Sequence, residues 1–196
     1  GSYGRSRRPW ARGSCCGTGM TMLLAAVVGY VIGSINPAAI IARIRGVDFR
    51  SVGSGNPGAT NISRAMGRKT GIVVGLLDVL KGFLPAFGFL LWTTDVGAAE
   101  VAGFAAVVGH VTSPFLKGRG GKGVATSGGA ILAIEPIWAI PVLVVFAVVF
   151  GLVRRVGIAS VAASLTLIPA SLVWHEEDSQ IVFACAMAGL ILLRHK

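Results

Sequence analysis

Acidic side chains are scarce in this sequence: eight Asp and Glu stand against eighteen Lys and Arg over 196 residues, a formal net charge of +10. A metal-bound phosphoester mechanism or a carboxylate general base therefore has few candidates, and neither a metal nor a cofactor is expected. Cysteine is nearly absent. Of the three, Cys15 and Cys16 are adjacent near the N-terminus and Cys185 lies in an apolar run, which excludes a disulfide framework or a metal-binding spacing. Charged residues make up only 13% and aromatics only 8%. The basic residues punctuate apolar runs and form no stripe interleaved with aromatics, so nucleic acid is not expected as a partner. What the chain has in quantity is apolar side chains, 54% of residues with a mean hydropathy of +0.75. That exceeds an ordinary soluble domain and points to an integral membrane protein whose partner is the lipid bilayer.

Residues 1–19 carry Arg5, Arg7, Arg8 and Arg12 with no apolar period. They are expected to be a disordered basic extension or a remnant of cloning, leaving residues 20–196 as a single transmembrane domain. About 20 apolar residues span a bilayer as a helix. Met20–Ile41, Thr70–Trp92, Gly97–Val111, Pro136–Val153, Gly157–Trp174 and Gln180–Leu193 read as spans, with the shorter Val124–Ile134 between the third and fourth of these. If Val124–Ile134 crosses, the charges sort. The Lys and Arg between 43 and 69, those between 117 and 122, Arg154, Arg155, Arg194 and Lys196 then fall on one side, and Asp95, Glu135, Glu176, Glu177 and Asp178 on the other. The positive-inside rule makes the basic side cytoplasmic. The expectation is an all-α bundle of seven transmembrane helices with its N-terminus outside and its glycine-rich loops in the cytoplasm.

Two such loops stand out. The first runs from Gly46 to Asn61 and contains Arg50, Gly53, Ser54, Gly55, Asn56, Gly58 and Thr60, with Arg64 just beyond; the second is Gly118-Arg119-Gly120-Gly121-Lys122-Gly123. Small residues let backbone N–H groups converge on an anion, and Arg and Lys balance its charge. Taken singly, these glycines could merely make turns and these cations merely set topology. Two cationic glycine loops on one face, with Asp48 the only carboxylate in either, favour one phosphate site.

Better-known patterns fail. Gly53-Ser-Gly-Asn-Pro-Gly58 matches G-x-G-x-x-G, but it follows a membrane helix instead of a strand. A Walker A loop would need Gly where Leu116 stands and Ser or Thr where Gly123 stands. His110 lacks an Asp five positions on, since Phe115 is there, so the catalytic dyad of that spacing is missing. His110 and His195 each end an apolar run, where a histidine commonly caps a helix. Asp78 and Lys81 lie three apart inside a span, expected to pair with each other or with a loop Arg, in a structural role more than a chemical one. A phosphatase would want paired His and acidic residues. An anion transporter would want an internal repeat, and the glycine–asparagine motif has no second copy.

The pattern resembles the bacterial glycerol-3-phosphate acyltransferases that use acyl phosphate as donor, the PlsY family, over nearly all of residues 29–195. The resemblance is carried by Gly33-Ser34, Gly46-Val-Asp-Phe-Arg50, Gly53-Ser-Gly-Asn56, Gly58-Ala-Thr-Asn61 with Arg64, Leu77-Asp78-Val-Leu-Lys81-Gly82, Gly109-His110 and Gly120-Gly-Lys-Gly-Val-Ala-Thr126. Thr112-Ser113-Pro114 departs from the aromatic-Pro usual there, and Arg119 stands where Lys is common. Arg194-His195 matches the start of the third family motif, and the expectation is of a chain truncated within it.

The resemblance implies transfer of a fatty acyl group from acyl phosphate to the 1-hydroxyl of sn-glycerol 3-phosphate, giving lysophosphatidic acid and phosphate at the bacterial inner membrane. Acyl phosphate already carries a good leaving group, so alignment and charge stabilisation suffice. In such families the substrate phosphate can itself accept the hydroxyl proton. The implied roles place His195, Lys122 and Arg64 at the reaction, the two cations clamping phosphate, Ser54, Asn56 and the Gly53 to Gly58 amides cradling the acyl-phosphate group, and His195 orienting substrate. Arg50, Gly53, Ser54, Gly55, Asn56, Gly58, Thr60, Asn61, His110, Arg119, Gly120, Gly121, Gly123 and Thr126 complete the binding set.

Overall fold

The computed structural model describes residues 18–175 and 177–195. The expected extension therefore lies outside the described residues up to position 17, as do Glu176 of the acidic loop and Lys196. Among the described residues there are helices and no strand.

The first run is two helices, α1 (Thr18–Ser34) and α2 (Pro37–Ile44), where the sequence reading expected one unbroken span. The reason is Asn36-Pro37. The Asn36 carboxamide oxygen accepts from the Ala39 N–H at 2.9 Å, capping a helix whose first residue is proline. α1 also begins two residues before Met20. A short 3-10 turn at Phe49–Ser51 leads to α3 (Ala59–Met66), then α4 (Arg68–Thr93) and α5 (Val96–Thr112), the last capped by the Asp95 carboxylate on Gly97 N. A second 3-10 turn at Pro114–Leu116 precedes α6 (Val124–Ile134) and α7 (Pro136–Val153). The next expected span is also divided, into α8 (Val156–Leu165) and α9 (Leu167–Trp174). Pro169 has no N–H to offer Leu165, and the Thr166 hydroxyl turns back onto the Ala163 carbonyl at 2.7 Å. α10 (Asp178–Leu193) closes the chain.

Helices packed in lipid gain little from hydrophobic burial, so backbones approach through small residues. α1 and α5 do this: Gly29 faces the Ala102 backbone, Gly33 that of Ala106, and Gly109 that of Tyr30. α4 meets α6 the same way, Gly82 against Thr126 and Gly129 against Val79. The eleven-residue α6 is thereby buried between α4 and α5, and Val107, Ile131, Trp138, Leu167, Phe183 and Met187 fill the centre of the bundle. The outward faces are apolar and exposed, as at Val27, Leu76, Leu84 and Val148. α7 is the extreme case, with only 6% of its apolar stretch buried within the chain.

Five segments of the described residues are long and apolar enough to cross a bilayer: Gly19–Ile44, Arg68–Thr93, Val96–Leu116, Pro136–Val153 and Val156–Trp174. α6 and α10 are shorter apolar helices, of 11 and 16 residues.

Candidate functional site

The first glycine-rich loop is strapped to α3 by one side chain. Asn61 is buried, its Oδ1 accepting from Ser54 N at 3.0 Å and its Nδ2 donating to the Phe49 carbonyl at 2.9 Å. Gly53 and Gly55 have φ of +56° and +63°, and a Cβ on Gly53 would stand 2.6 Å from Asn61 Oδ1. Asp48 closes the other end by accepting from Arg50 N at 2.9 Å.

The second loop folds back onto the end of α5. Gly120 N donates to the Val111 carbonyl at 3.0 Å and Gly121 N to that of His110 at 3.1 Å. Any side chain at Gly121 would collide with the His110 ring, so the glycine is what seats this loop on α5. The loops also touch: Arg50 donates to the Arg119 carbonyl at 3.3 Å while its guanidinium stacks 5.3 Å from the Phe49 ring centroid.

A cavity of about 440 Å³ opens between them. Of the residues expected from the sequence, Ser54, Asn56, Gly58, Thr60, Asn61 and Arg64 line it from the first loop and α3, Lys122 and Gly123 from the second loop, and His110 and His195 from the ends of α5 and α10. Arg50, Gly53, Gly55, Arg119, Gly120, Gly121 and Thr126 are not in its lining. They shape its walls: two glycines turn the first loop, two admit the second against α5, the arginine and its carbonyl partner join the loops, and Thr126 is buried against Gly82. The loop amides expected to cradle an anion are partly engaged within the loop, Ser54 N by Asn61, Gly55 N by the Val52 carbonyl and Gly58 N by that of Asn56.

Ten lining residues lay outside the expected set, among them Ser160 and Gly157 of α8 and four of particular chemical interest. Arg154 and Arg155 enter from the α7–α8 junction, having been read as topology signals, and Phe146 enters from α7. Asp78 is the only acidic residue of the lining. Its Oδ1 lies 2.9 Å from Lys81 Nζ and 3.6 Å from His110 Nδ1, all three side chains being almost fully buried. The expected Asp78–Lys81 pair is present, but it faces the cavity through Asp78. An ionisable group inside an apolar span is itself a pointer to function, and that signal was in the sequence.

His195 Nδ1 lies 2.9 Å from the Ile191 carbonyl. A ring nitrogen against a carbonyl must carry the proton, so the neutral ring presents Nε2 as an acceptor and the charged ring presents it as a donor. Burial, opposed by the Ile191 carbonyl and reinforced by the charge of Lys122, holds the imidazole below the ordinary histidine value. The arrangement thus joins cations suited to phosphate with a neutral imidazole that can orient a hydroxyl. Among the described residues, no group of three His, Cys, Asp or Glu side chains is placed to hold a metal ion.

The sequence pattern described as glycerol-3-phosphate acyltransferase matches residues 23–196. A glycerol-3-phosphate acyltransferase of Aquifex aeolicus is 37% identical over 183 residues, covering 90% of this chain and 93% of the relative. Glycerol-3-phosphate acyltransferase 1 of Deinococcus radiodurans is 38% identical over 182 residues, covering 90% and 89%. Crystal structures of PlsY (YgiH), an integral membrane glycerol 3-phosphate acyltransferase, superpose with a TM-score of 0.84 in the glycerol 3-phosphate form and 0.83 in the lysphosphatidic acid form. The first is 37% identical and the match covers 89% of this chain and 88% of that one; the second is 36% identical, with 90% and 88% covered.

Proposed function

This chain belongs to the glycerol-3-phosphate acyltransferase family, and we propose that it moves a fatty acyl group from acyl phosphate to the 1-hydroxyl of sn-glycerol 3-phosphate. The acceptor oxygen attacks the acyl carbonyl carbon, the bond from that carbon to the phosphate oxygen breaks, and lysophosphatidic acid and inorganic phosphate leave. The hydroxyl proton passes to a phosphate oxygen. Residues 20–196 act as one domain of seven spans in the bacterial inner membrane, with the glycine-rich loops cytoplasmic and the N-terminus outside.

The observation that carries this reading is the single cavity in which Arg64, Lys122 and His195 meet beside α7, the helix most open to lipid. Both reactants carry phosphate and one carries an alkyl chain, so such a cavity is where they can be aligned. Arg64 and Lys122 clamp phosphate, and His195 orients the acceptor through Nε2. Ser54, Asn56, Gly58 and Thr60 surround the bound anion, supported by the wall glycines, Asn61, Arg50, Arg119 and Thr126. His110 and Gly123 complete the pocket. With the leaving group already activated, orientation and charge balance supply the catalysis.

The test is phosphate release from palmitoyl phosphate by the purified protein, with and without glycerol 3-phosphate. Release that depends on the acceptor and yields lysophosphatidic acid is expected. Release that ignores the acceptor would overturn the reading.

A further inference from the structure

The proposed reaction brings two phosphates into one cavity, yet the roles above assign cations to only one of them. Arg154 and Arg155 line the same cavity, and their guanidinium groups have no ion-pair or hydrogen-bond partner among the described residues, their backbones alone being bonded, to Phe150 and Ala159. Other cytoplasm-side cations of the topology pattern, such as Arg43, Arg45, Arg68 and Lys69, do not line it. Sidedness alone therefore does not explain where this pair sits.

The backbone puts them there. Arg154 ends α7 in the left-handed region, φ +56°, a conformation that a non-glycine residue adopts only at a cost. This turn swings the chain directly into α8, and the two arginines lie in it. Three residues on, Gly157 brings the first turn of α8 against His195, a Cβ there standing 3.8 Å from the ring. His195 therefore has the first turn of α8, just past the arginines, as one neighbour, while Arg64 reaches the cavity from α3 and Lys122 from the second glycine-rich loop. Phe146, two turns back along α7, adds an apolar side chain to the lining of the cavity.

Resting on the proposed acyl transfer, we infer that Arg154 and Arg155 form a second anion subsite, the one that takes the phosphate of the acyl-phosphate donor, with its alkyl chain running along Phe146 into lipid. An amphiphile arriving from the bilayer meets cations at the interface and an apolar wall below them, which matches its own polarity. Glycerol 3-phosphate, arriving from water, is left to Arg64 and Lys122.

The variants are Arg154→Asn, since asparagine tolerates positive φ, and Arg155→Ala, both at exposed positions. Each is assayed with palmitoyl phosphate and with the soluble short-chain donor butyryl phosphate. The KM for either donor should rise about tenfold or more, the loss of a charge-assisted hydrogen bond, while the KM for glycerol 3-phosphate and the thermal midpoint stay at wild-type values. Arg155→Lys should recover part of the loss. A rise for palmitoyl phosphate alone would show attraction to the lipid surface and overturn the subsite, as would a rise in the KM for glycerol 3-phosphate. Absence of acceptor-dependent turnover in the unsubstituted chain would instead overturn the acyl-transfer reading, and the subsite with it.

Discussion

The Lys81 ammonium donates to the Ile35 carbonyl oxygen across 2.9 Å while it holds Asp78 at the same distance. Ile35 is where the first membrane segment breaks between α1 and α2, and a break leaves carbonyls that lipid cannot satisfy. Lys81 supplies one donor to that break, and the Ser113 hydroxyl supplies another to the Ser34 carbonyl at 2.6 Å.

Replacing Lys81 with Met should therefore strand both the Ile35 carbonyl and the Asp78 carboxylate. Removing one partner of a buried pair costs about 3–5 kcal/mol, to be read as a fall in the thermal midpoint in detergent. The double variant Asp78→Asn/Lys81→Met should lose less than the sum of the singles. A Lys81→Met protein with the wild-type midpoint would show that the pair contributes nothing to stability.

Gly33→Ala should be costly and Gly88→Ala should not. A Cβ at Gly33 runs into the Ala106 backbone, where neither helix can yield without shifting, whereas Gly88 has open space around it. Overpacking of this kind costs about 1–3 kcal/mol. Paired thermal melts decide it, and equal midpoints would mean the α1–α5 seam relaxes freely.

Arg64→Ala and Lys122→Ala should each raise the KM for glycerol 3-phosphate by about tenfold or more, from the loss of a charge-assisted contact worth about 1.5–3 kcal/mol. Arg64→Lys should recover only part, because the forked guanidinium geometry is lost. Steady-state kinetics at saturating donor measure this. An unchanged KM in either alanine variant removes that residue from the acceptor site.

His195 should titrate below the ordinary histidine range, chiefly because burial disfavours the charged ring, with Lys122 adding to the effect. At pH 7 the ring is then neutral, and activity that needs Nε2 as an acceptor falls as the pH drops through the lowered value. Lys122→Ala removes a like charge and should move the midpoint upward. NMR titration of the imidazole Cε1 proton reads this independently of turnover, and an unmoved midpoint would separate the two residues.

Much of this was legible from residue types. Apolar runs broken by glycine and arginine marked the helices and the loops between them, because lipid demands contiguous apolar helix. Asn36-Pro37 and Pro169 were equally present as signals for the two breaks, but hydropathy averaged over a span conceals them. Gly120 and Gly121 were read as part of an anion cradle; the close approach of both to the end of α5, at His110 and Val111, is a relation that only the fold reveals. Arg154 and Arg155 were seen and assigned to topology, since nothing in a linear sequence says that the turn after α7 points inward. Asp78 was taken as a partner for Lys81, which it is; that the same carboxylate also faces a cavity depends on α4 and α5 meeting at His110, a relation across 32 residues.

The long outward face that α7 leaves exposed bears on how this sequence can change with time. The outward positions of that helix touch only hydrocarbon, which senses the polarity of a side chain but not its shape. Val, Leu, Ile and Phe can replace one another there by neutral drift, as long as none becomes charged. The glycine and alanine positions of the α1–α5 seam have no such latitude, since a single added methyl group meets backbone. Two helices of similar apolarity should thus keep very different records of descent, one preserving only its oiliness and the other its individual residues.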